Sequence, residues 1–252
     1  MSYRLKKKLN YVIVIPARYK SVRLNGKPLL DLNGVPMIIR TYRQCLKAVP
    51  SRFIYVATDH DLIKKACIKE GAQVIMTSTD CLTGTDRVAE VAKKIHAKTY
   101  INIQGDEPIF NPKDIKKLLK EIKKYPAEII MGYCEIDNID EFKDPNIPKV
   151  VISPNSQLLY ISRAPIPSNK QKKFKVGWRQ VCASAFPKKS LKIFLSKKKK
   201  TELEKIEDIE ILRFLELGIQ VRAVKMSKMS LAVDTPEDIG LVKDKIQKLG
   251  LN

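Results

Sequence analysis

The chain has 252 residues and carries 48 Lys+Arg against 27 Asp+Glu, a formal net charge of +21. With 44% hydrophobic and 30% charged residues it has the balance of a folded globular protein, which excludes wholesale disorder. The length suits one large domain or two small ones, and charged residues or Pro interrupt every apolar run before the roughly 18 to 20 residues that a membrane-spanning helix needs.

The opening MSYRLKKKLNYVIVIPAR sets a basic patch before an apolar run, but the run at 11–15 is too short for a secretory signal, whose apolar core is roughly 7 to 15 residues. It reads instead as a first buried strand, with the lysines at 6–8 as a frayed basic end. Further strands are expected at 53–57, 73–76, 100–104 and 128–136, with helical periods between them at 37–48, 61–70, 85–96 and 112–124. Asn111-Pro112 is a start signal for the last of these helices. The alternation predicts an α/β fold of Rossmann-like kind, a mostly parallel sheet flanked by helices.

From 137 to 200 the pattern changes, because Pro145, Pro148, Pro154, Pro165, Pro167 and Pro187 punctuate shorter strand-like runs such as KVVIS and LLYIS. This stretch is expected to form a smaller inserted sub-lobe within a single domain. After it, LEKIEDIEILRFLELG predicts one helix ended by Gly218, followed by a strand at 219–224 and a closing helix capped by Thr235.

Cys45, Cys67, Cys81, Cys134 and Cys182 are odd in number and include no C-x-x-C pair, so neither a disulfide framework nor a zinc site is indicated. A reducing, cytoplasmic setting fits. The positive charge raises nucleic-acid binding as a rival reading. Much of it, however, is lysine on helical stretches, such as Lys113, Lys116, Lys117, Lys120, Lys123 and Lys124, plus a run at 197–200. No helix-turn-helix, zinc-finger or RNP-like motif accompanies it, so a solvated lysine-rich surface with no specific nucleic-acid partner is expected.

The chemistry is concentrated at strand ends. In an open parallel sheet, ligands collect outside the carboxyl ends of the strands, and the loop PARYKSVRLNGKPL follows the first one. It sets Arg18, Arg23 and Lys27 around Ser21, Asn25 and Gly26, a composition suited to several phosphate oxygens, yet it is neither a Walker A loop nor G-x-G-x-x-G. INIQGDEP puts Asp106 and Glu107 just past another strand, where a carboxylate either caps a turn or binds Mg²⁺ together with substrate oxygens. Asp234, in LAVDTPEDI, reads either as a third such carboxylate or as a helix cap. In LTGTDRVAE, Thr85 and nearby amides open a helix that can face a nucleotide, with Arg87 in its first turn. His60, in ATDHD, is either a base or an ordinary surface histidine.

Taken in order, IPARYKSVRLNGKPL, ATDHD, TGTDRVAE, NIQGDEP, LLYISRAPIP, LEKIEDIEILRFLELG and VDTPEDI run nearly the full length. In these motifs the chain resembles the 3-deoxy-D-manno-octulosonate cytidylyltransferases, the CMP-Kdo synthetases. The resemblance implies a homodimeric cytoplasmic enzyme that joins CTP to an acidic keto sugar and releases pyrophosphate, serving lipopolysaccharide or capsule synthesis without a membrane partner. It implies that Pro16, Ala17, Arg18, Ser21, Arg23, Lys27, Thr85, Arg87 and Gln104 bind the nucleotide, with Arg18, Lys27 and Asp106 catalytic. Asp106 and Asp234 would hold Mg²⁺. Arg163, Gln180, Ser184 and Glu210 would face the acceptor, and the sub-lobe would supply the acceptor side and the dimer contact.

The acceptor region departs from the family pattern. Its H-x-G-x-Y-x-Y stretch aligns with Gln180, Cys182, Ser184 and Phe186, and its Glu-Gln pair with Glu210 and Ile211. A modified octulosonate or another small acid is therefore expected beside Kdo itself. Another nucleotide base, or nucleic-acid binding on a degenerate enzyme fold, are the rival readings.

Overall fold

The computed structural model describes residues 9–20 and 24–251. Ser21 and Arg23, expected to bind the nucleotide, and the lysines at 6–8 lie outside the described residues.

The chain runs through β1 (Leu9–Ala17), a small ribbon of β2 (Asp31–Leu32) and β3 (Val35–Pro36), α1 (Met37–Leu46), β4 (Ile54–Thr58), α2 (Asp61–Lys69), β5 (Gln73–Met76) and α3 (Gly84–Lys94). It continues with β6 (Ala97–Ile103), α4 (Pro112–Lys124), β7 (Ile129–Glu135), α5 (Ile139–Lys143), β8 (Lys149–Ile152), β9 (Leu158–Ser162) and β10 (Trp178–Pro187). Last come α6 (Lys188–Ser196), α7 (Glu202–Glu207), α8 (Ile211–Glu216), β11 (Val221–Lys225) and α9 (Pro236–Lys248).

The main sheet has the order β11-β7-β10-β6-β1-β4-β5. All these strands run the same way except β10, which is antiparallel to both β6 and β7. The expected mostly parallel α/β architecture is therefore present.

Strand β1 shows why it folds so. Ile13 and Ile15 point to a layer formed by Ile38, Ile39 and Tyr42 of α1, Ile63 of α2 and Ile115 of α4. Val12 and Val14 point the other way, to Val88 and Val91 of α3, Phe194 of α6 and Phe214 of α8. A strand with apolar residues in both alternating sets has to be covered on both faces, and the helices between the strands cover it. A third cluster packs α9, through Val242 and Ile246, on Leu32, Met37, Ile109 and Val233. No helix among the described residues is long and apolar enough to cross a membrane.

Two expectations need correction. The 137–200 stretch does not stand apart as a sub-lobe: β10 runs between β6 and β7, α6 packs in the main core, and β8–β9 is a hairpin joined to β10. The strand is hard to read from the sequence because a register shift between Val181 and Ser184 breaks its alternation at small residues. The single helix expected across 203–218 is two, α7 and α8, divided at Asp208 with φ 51°. The Arg163 guanidinium donates to the carbonyls of Glu207 and Asp208, occupying groups that an unbroken helix would use itself.

Candidate active site

From β1 the chain steps outward to β4 and β5, then returns to place β6 on the other side of β1. The crevice beyond the carboxyl ends of β1 and β6 is thus a topological switch point, where open α/β sheets hold ligands. A cleft of about 450 Å³ opens there. Its floor is Pro16, Ala17 and Arg18 after β1 and Gln104, Gly105 and Asp106 after β6. The two floor segments touch: a Cβ on Gly105 would lie 2.7 Å from the Pro16 carbonyl oxygen, so only glycine fits.

Lys27 enters from the side. Gly26, with φ 68°, turns the chain into the short 3₁₀ turn Lys27–Leu29, and Lys27 Nζ donates to Asp106 Oδ2 at 2.7 Å and to Asp234 Oδ1 at 3.2 Å. Residues 79 and 207 positions away in sequence therefore meet on one ammonium. The Asp234 loop is fixed by Val233 N donating to the Asp106 carbonyl at 3.0 Å and by a Thr235–Asp238 capping box at the start of α9. Asp234 thus stands at a helix start and at the cleft together. Burial alone would lower the pKa of Lys27, but the carboxylates of Asp106 and Asp234 outweigh it and raise it.

The opposite wall is the N-terminus of α3. Thr83 caps this helix, and the Glu210 carboxylate accepts from the amides of Gly84 at 2.8 Å and Thr85 at 2.9 Å, and from the Thr85 hydroxyl. Its pKa is raised, because burial outweighs these hydrogen bonds. One helical turn on, the fully buried Arg213 grips Glu204 with two bonds of 2.6 and 2.7 Å, reaches Asp86 at 3.2 Å and stacks over Phe194. Together Glu210 and Arg213 bind α8 to the first turn of α3.

Other expected residues sit in the cleft with internal partners. Arg87 lines it, yet its guanidinium pairs with Asp59 at 2.9 Å and donates to Thr77 and Ser78. Asp59 also accepts from Tyr19 N at 3.1 Å, so one carboxylate ties the phosphate-type loop to α3. The Tyr19 ring stacks on His60 with centroids 3.8 Å apart, and His60 Nδ1 caps α2 by accepting from Leu62 N. Arg163 lines the cleft while donating to three carbonyls, those of Pro145, Glu207 and Asp208. Gln180 and Ser184 line it from β10. Arg18 lies exposed at its mouth.

Glu107 departs from its neighbour. It is buried below the floor, accepting from Cys182 N at 3.1 Å and from the Ser230 hydroxyl, and burial raises its pKa. Sequence reading missed Asp59 and Lys200, the latter paired with Asp208 at the rim. The position of Asp59, just past β4 in ATDHD, was a signal of the kind that marked Asp106.

The family model for cytidylyltransferases matches residues 12–227. A 3-deoxy-manno-octulosonate cytidylyltransferase of Escherichia coli is 37% identical over 225 residues, covering 89% of this chain and 91% of that protein. The chain belongs to the 3-deoxy-manno-octulosonate cytidylyltransferase family. An 8-amino-3,8-dideoxy-manno-octulosonate cytidylyltransferase of Shewanella halifaxensis is 35% identical over 94% of this chain and 99% of that one. The solved structure of a CMP:2-keto-3-deoxy-manno-octonic acid synthetase complexed with CTP superposes with a TM-score of 0.88 at 35% identity, covering 95% of this chain and 99% of that chain. The resemblance carried by the sequence motifs is thus a true family relationship, and the cytidylyltransferase fold is the fold described above.

Proposed function

We propose that the protein transfers CMP from CTP to the anomeric hydroxyl of 3-deoxy-manno-octulosonate or a modified relative, releasing pyrophosphate. The observation that carries this reading is the convergence of Lys27, Asp106 and Asp234 at the switch-point cleft, in a chain whose relatives are named for this reaction. The sugar hydroxyl attacks the α-phosphorus and gives up its proton to water, the bond from that phosphorus to the bridging oxygen breaks, and its electron pair leaves with pyrophosphate. Positioning and positive charge supply most of the acceleration in such a displacement. In this reading Lys27 and Arg18, which line the cleft, meet the phosphate oxygens, and the start of α3 forms the facing wall.

Mg²⁺ is the cofactor in this reading. Asp106 and Asp234 offer an all-oxygen donor pair already gathered around a cation, which fits an ion that takes one or two protein carboxylates plus substrate oxygens. Bound there, Mg²⁺ would neutralise charge developing on the leaving pyrophosphate. The same reading makes the enzyme a cytoplasmic homodimer serving surface polysaccharide synthesis, with the exposed Leu159 of β9 inside the 137–200 stretch assigned to the dimer contact.

The test is pyrophosphate release with each of the four nucleoside triphosphates, Mg²⁺ and a panel of α-keto acid sugars. Activity is expected with CTP and a loss of at least about 10² in the Asp106→Ala and Asp234→Ala variants, by analogy with losing a preorganised electrostatic group. Full activity in both variants would sink the metal assignment; turnover only with another nucleotide would sink the choice of CTP.

A further inference from the structure

An acidic acceptor needs a cation for its carboxylate, and the cations of the cleft differ in how firmly they are already held. Lys27 is shared by two aspartates, and Arg87 is closed on Asp59 with 3% of its side chain exposed. The Arg163 guanidinium is turned onto three backbone carbonyls. Lys200 is held differently. Its side chain is 26% exposed, whereas its partner, the Asp208 carboxylate, is 70% exposed. An ion pair with one partner mostly in water contributes little net free energy, and water resolvates Asp208 once the ammonium leaves.

The pair is fixed at its base and movable at its tip. Lys200 directly precedes Thr201, whose capping box with Glu204 starts α7, and Glu216 accepts from the Leu203 and Glu204 amides. Asp208 closes the same helix, with its carbonyl held by Arg163. Both backbone anchors are set, so the part that can swing is the flexible four-carbon lysine stem. Of the lysine run at 197–200, Lys200 is the member that lines the cleft. Asp208 marks a spot there that suits an anion. The hydrogen bond from Lys200 holds its carboxyl below the usual range, and the charges of Lys200, Arg163 and Arg18 act the same way against burial. The pair stands on the wall built by Arg163 and α7, and not on the floor with Lys27 and its two aspartates. The anion it suits is therefore the acceptor's, and not the triphosphate.

We propose that Lys200 binds the carboxylate of the acceptor, with Asp208 as the internal anion that holds the ammonium until the acceptor displaces it. This rests on the cytidylyl-transfer reading above. The exchange trades one carboxylate for another on the same ammonium, so no proton moves and no charge is left alone in the cleft.

The test is pyrophosphate release by the full chain with CTP, Mg²⁺ and 3-deoxy-manno-octulosonate, with the sugar and CTP varied in turn. Lys200→Met should raise the KM for the sugar about tenfold, the lower end of what one charge-assisted hydrogen bond supplies. The kcat and the KM for CTP should stay within about twofold, and Lys200→Arg should keep most of the sugar affinity. Asp208→Asn removes the competing charge, and asparagine tolerates the left-handed backbone, so the KM for the sugar should fall a few fold. A sugar KM unchanged in Lys200→Met would overturn the inference while leaving cytidylyl transfer intact. A rise in the KM for CTP alone would overturn it too, by placing Lys200 on the phosphates. Both KM values rising together with a lower melting temperature would mark Lys200 as structural and would equally overturn it. A sugar KM unchanged or higher in Asp208→Asn would overturn the displacement. No turnover by the wild type with CTP and any α-keto acid sugar would instead overturn cytidylyl transfer itself. If Lys200→Met does not fold, Lys200→Gln, which keeps a polar tip without the charge, decides on the same readings.

Discussion

Replacing Lys27 by Met removes one charge, keeps most of the aliphatic stem and leaves two carboxylates facing each other. Their nearest oxygens lie 2.7 and 3.2 Å from Nζ, so they are at most about 6 Å apart. At an effective dielectric near 20, like charges about 5 to 6 Å apart repel by roughly 3 kcal/mol. Because Asp106 and Asp234 keep 31% and 28% side-chain exposure, solvent and salt reduce this to about 1 kcal/mol of lost stability. The catalytic loss is larger, about 10² to 10³, if the ammonium is a preorganised cation for the phosphates.

The pH dependence separates the two roles. The pKa of Lys27 is raised, so its stabilising effect is complete below the unfolded value of about 10.4 and fades only as pH climbs through the higher folded value. Wild-type stability should therefore show no Lys27-linked change between about pH 6 and 9. In Lys27→Met the facing aspartates lose the ammonium between them, so the stability lost should be present across this whole range and shrink with added salt. The assay is pyrophosphate release from CTP and sugar across about pH 5 to 9, with thermal melting in parallel. A variant within about threefold of the wild-type rate and with an unchanged melting temperature would refute this account of Lys27.

Three further outcomes are expected. Arg213→Met strands the fully buried Glu204 and should cost about 3 to 5 kcal/mol by denaturant unfolding, whereas Arg213→Met with Glu204→Leu should recover part of it, since the buried pair is then removed together while Asp86 still loses its arginine and α7 its capping-box carboxylate. Gly105→Ala drives a methyl against the Pro16 carbonyl at 2.7 Å, backbone against backbone, and should lose about 1 to 3 kcal/mol in a melt together with a clear fall in kcat/KM for CTP. Glu107→Gln should raise Tm at neutral pH: burial raises the Glu107 pKa, so its charged form costs stability above that folded pKa. The gain should shrink as pH falls towards the unfolded value of about 4.3, and a Tm difference that is independent of pH would contradict it.

Local pattern carried much of the fold. The strand expected at 73–76 is β5, Gln73–Met76, and the helix expected at 112–124 is α4, Pro112–Lys124, because period, caps and turn residues act within a few positions. Non-local effects were not legible. The bulged alternation of β10 gave no clear strand signal, and nothing local says that it lies between β6 and β7. The break at Asp208 depends on Arg163, which is 45 residues away.

The site divides the same way. Composition and position at strand ends marked Lys27, Asp106 and Asp234 as charged groups in phosphate- and metal-competent loops, and motif order marked the family. Only the folded chain shows that one ammonium joins both aspartates, that Asp59 holds Arg87, that Arg163 is engaged with carbonyls, and that Glu210 sits on the start of α3. The physical reason is range: propensity, capping and periodicity act over a turn or two of chain. The balance between burial and a charged partner is set by groups up to 207 residues apart, which only strand order and helix packing bring together.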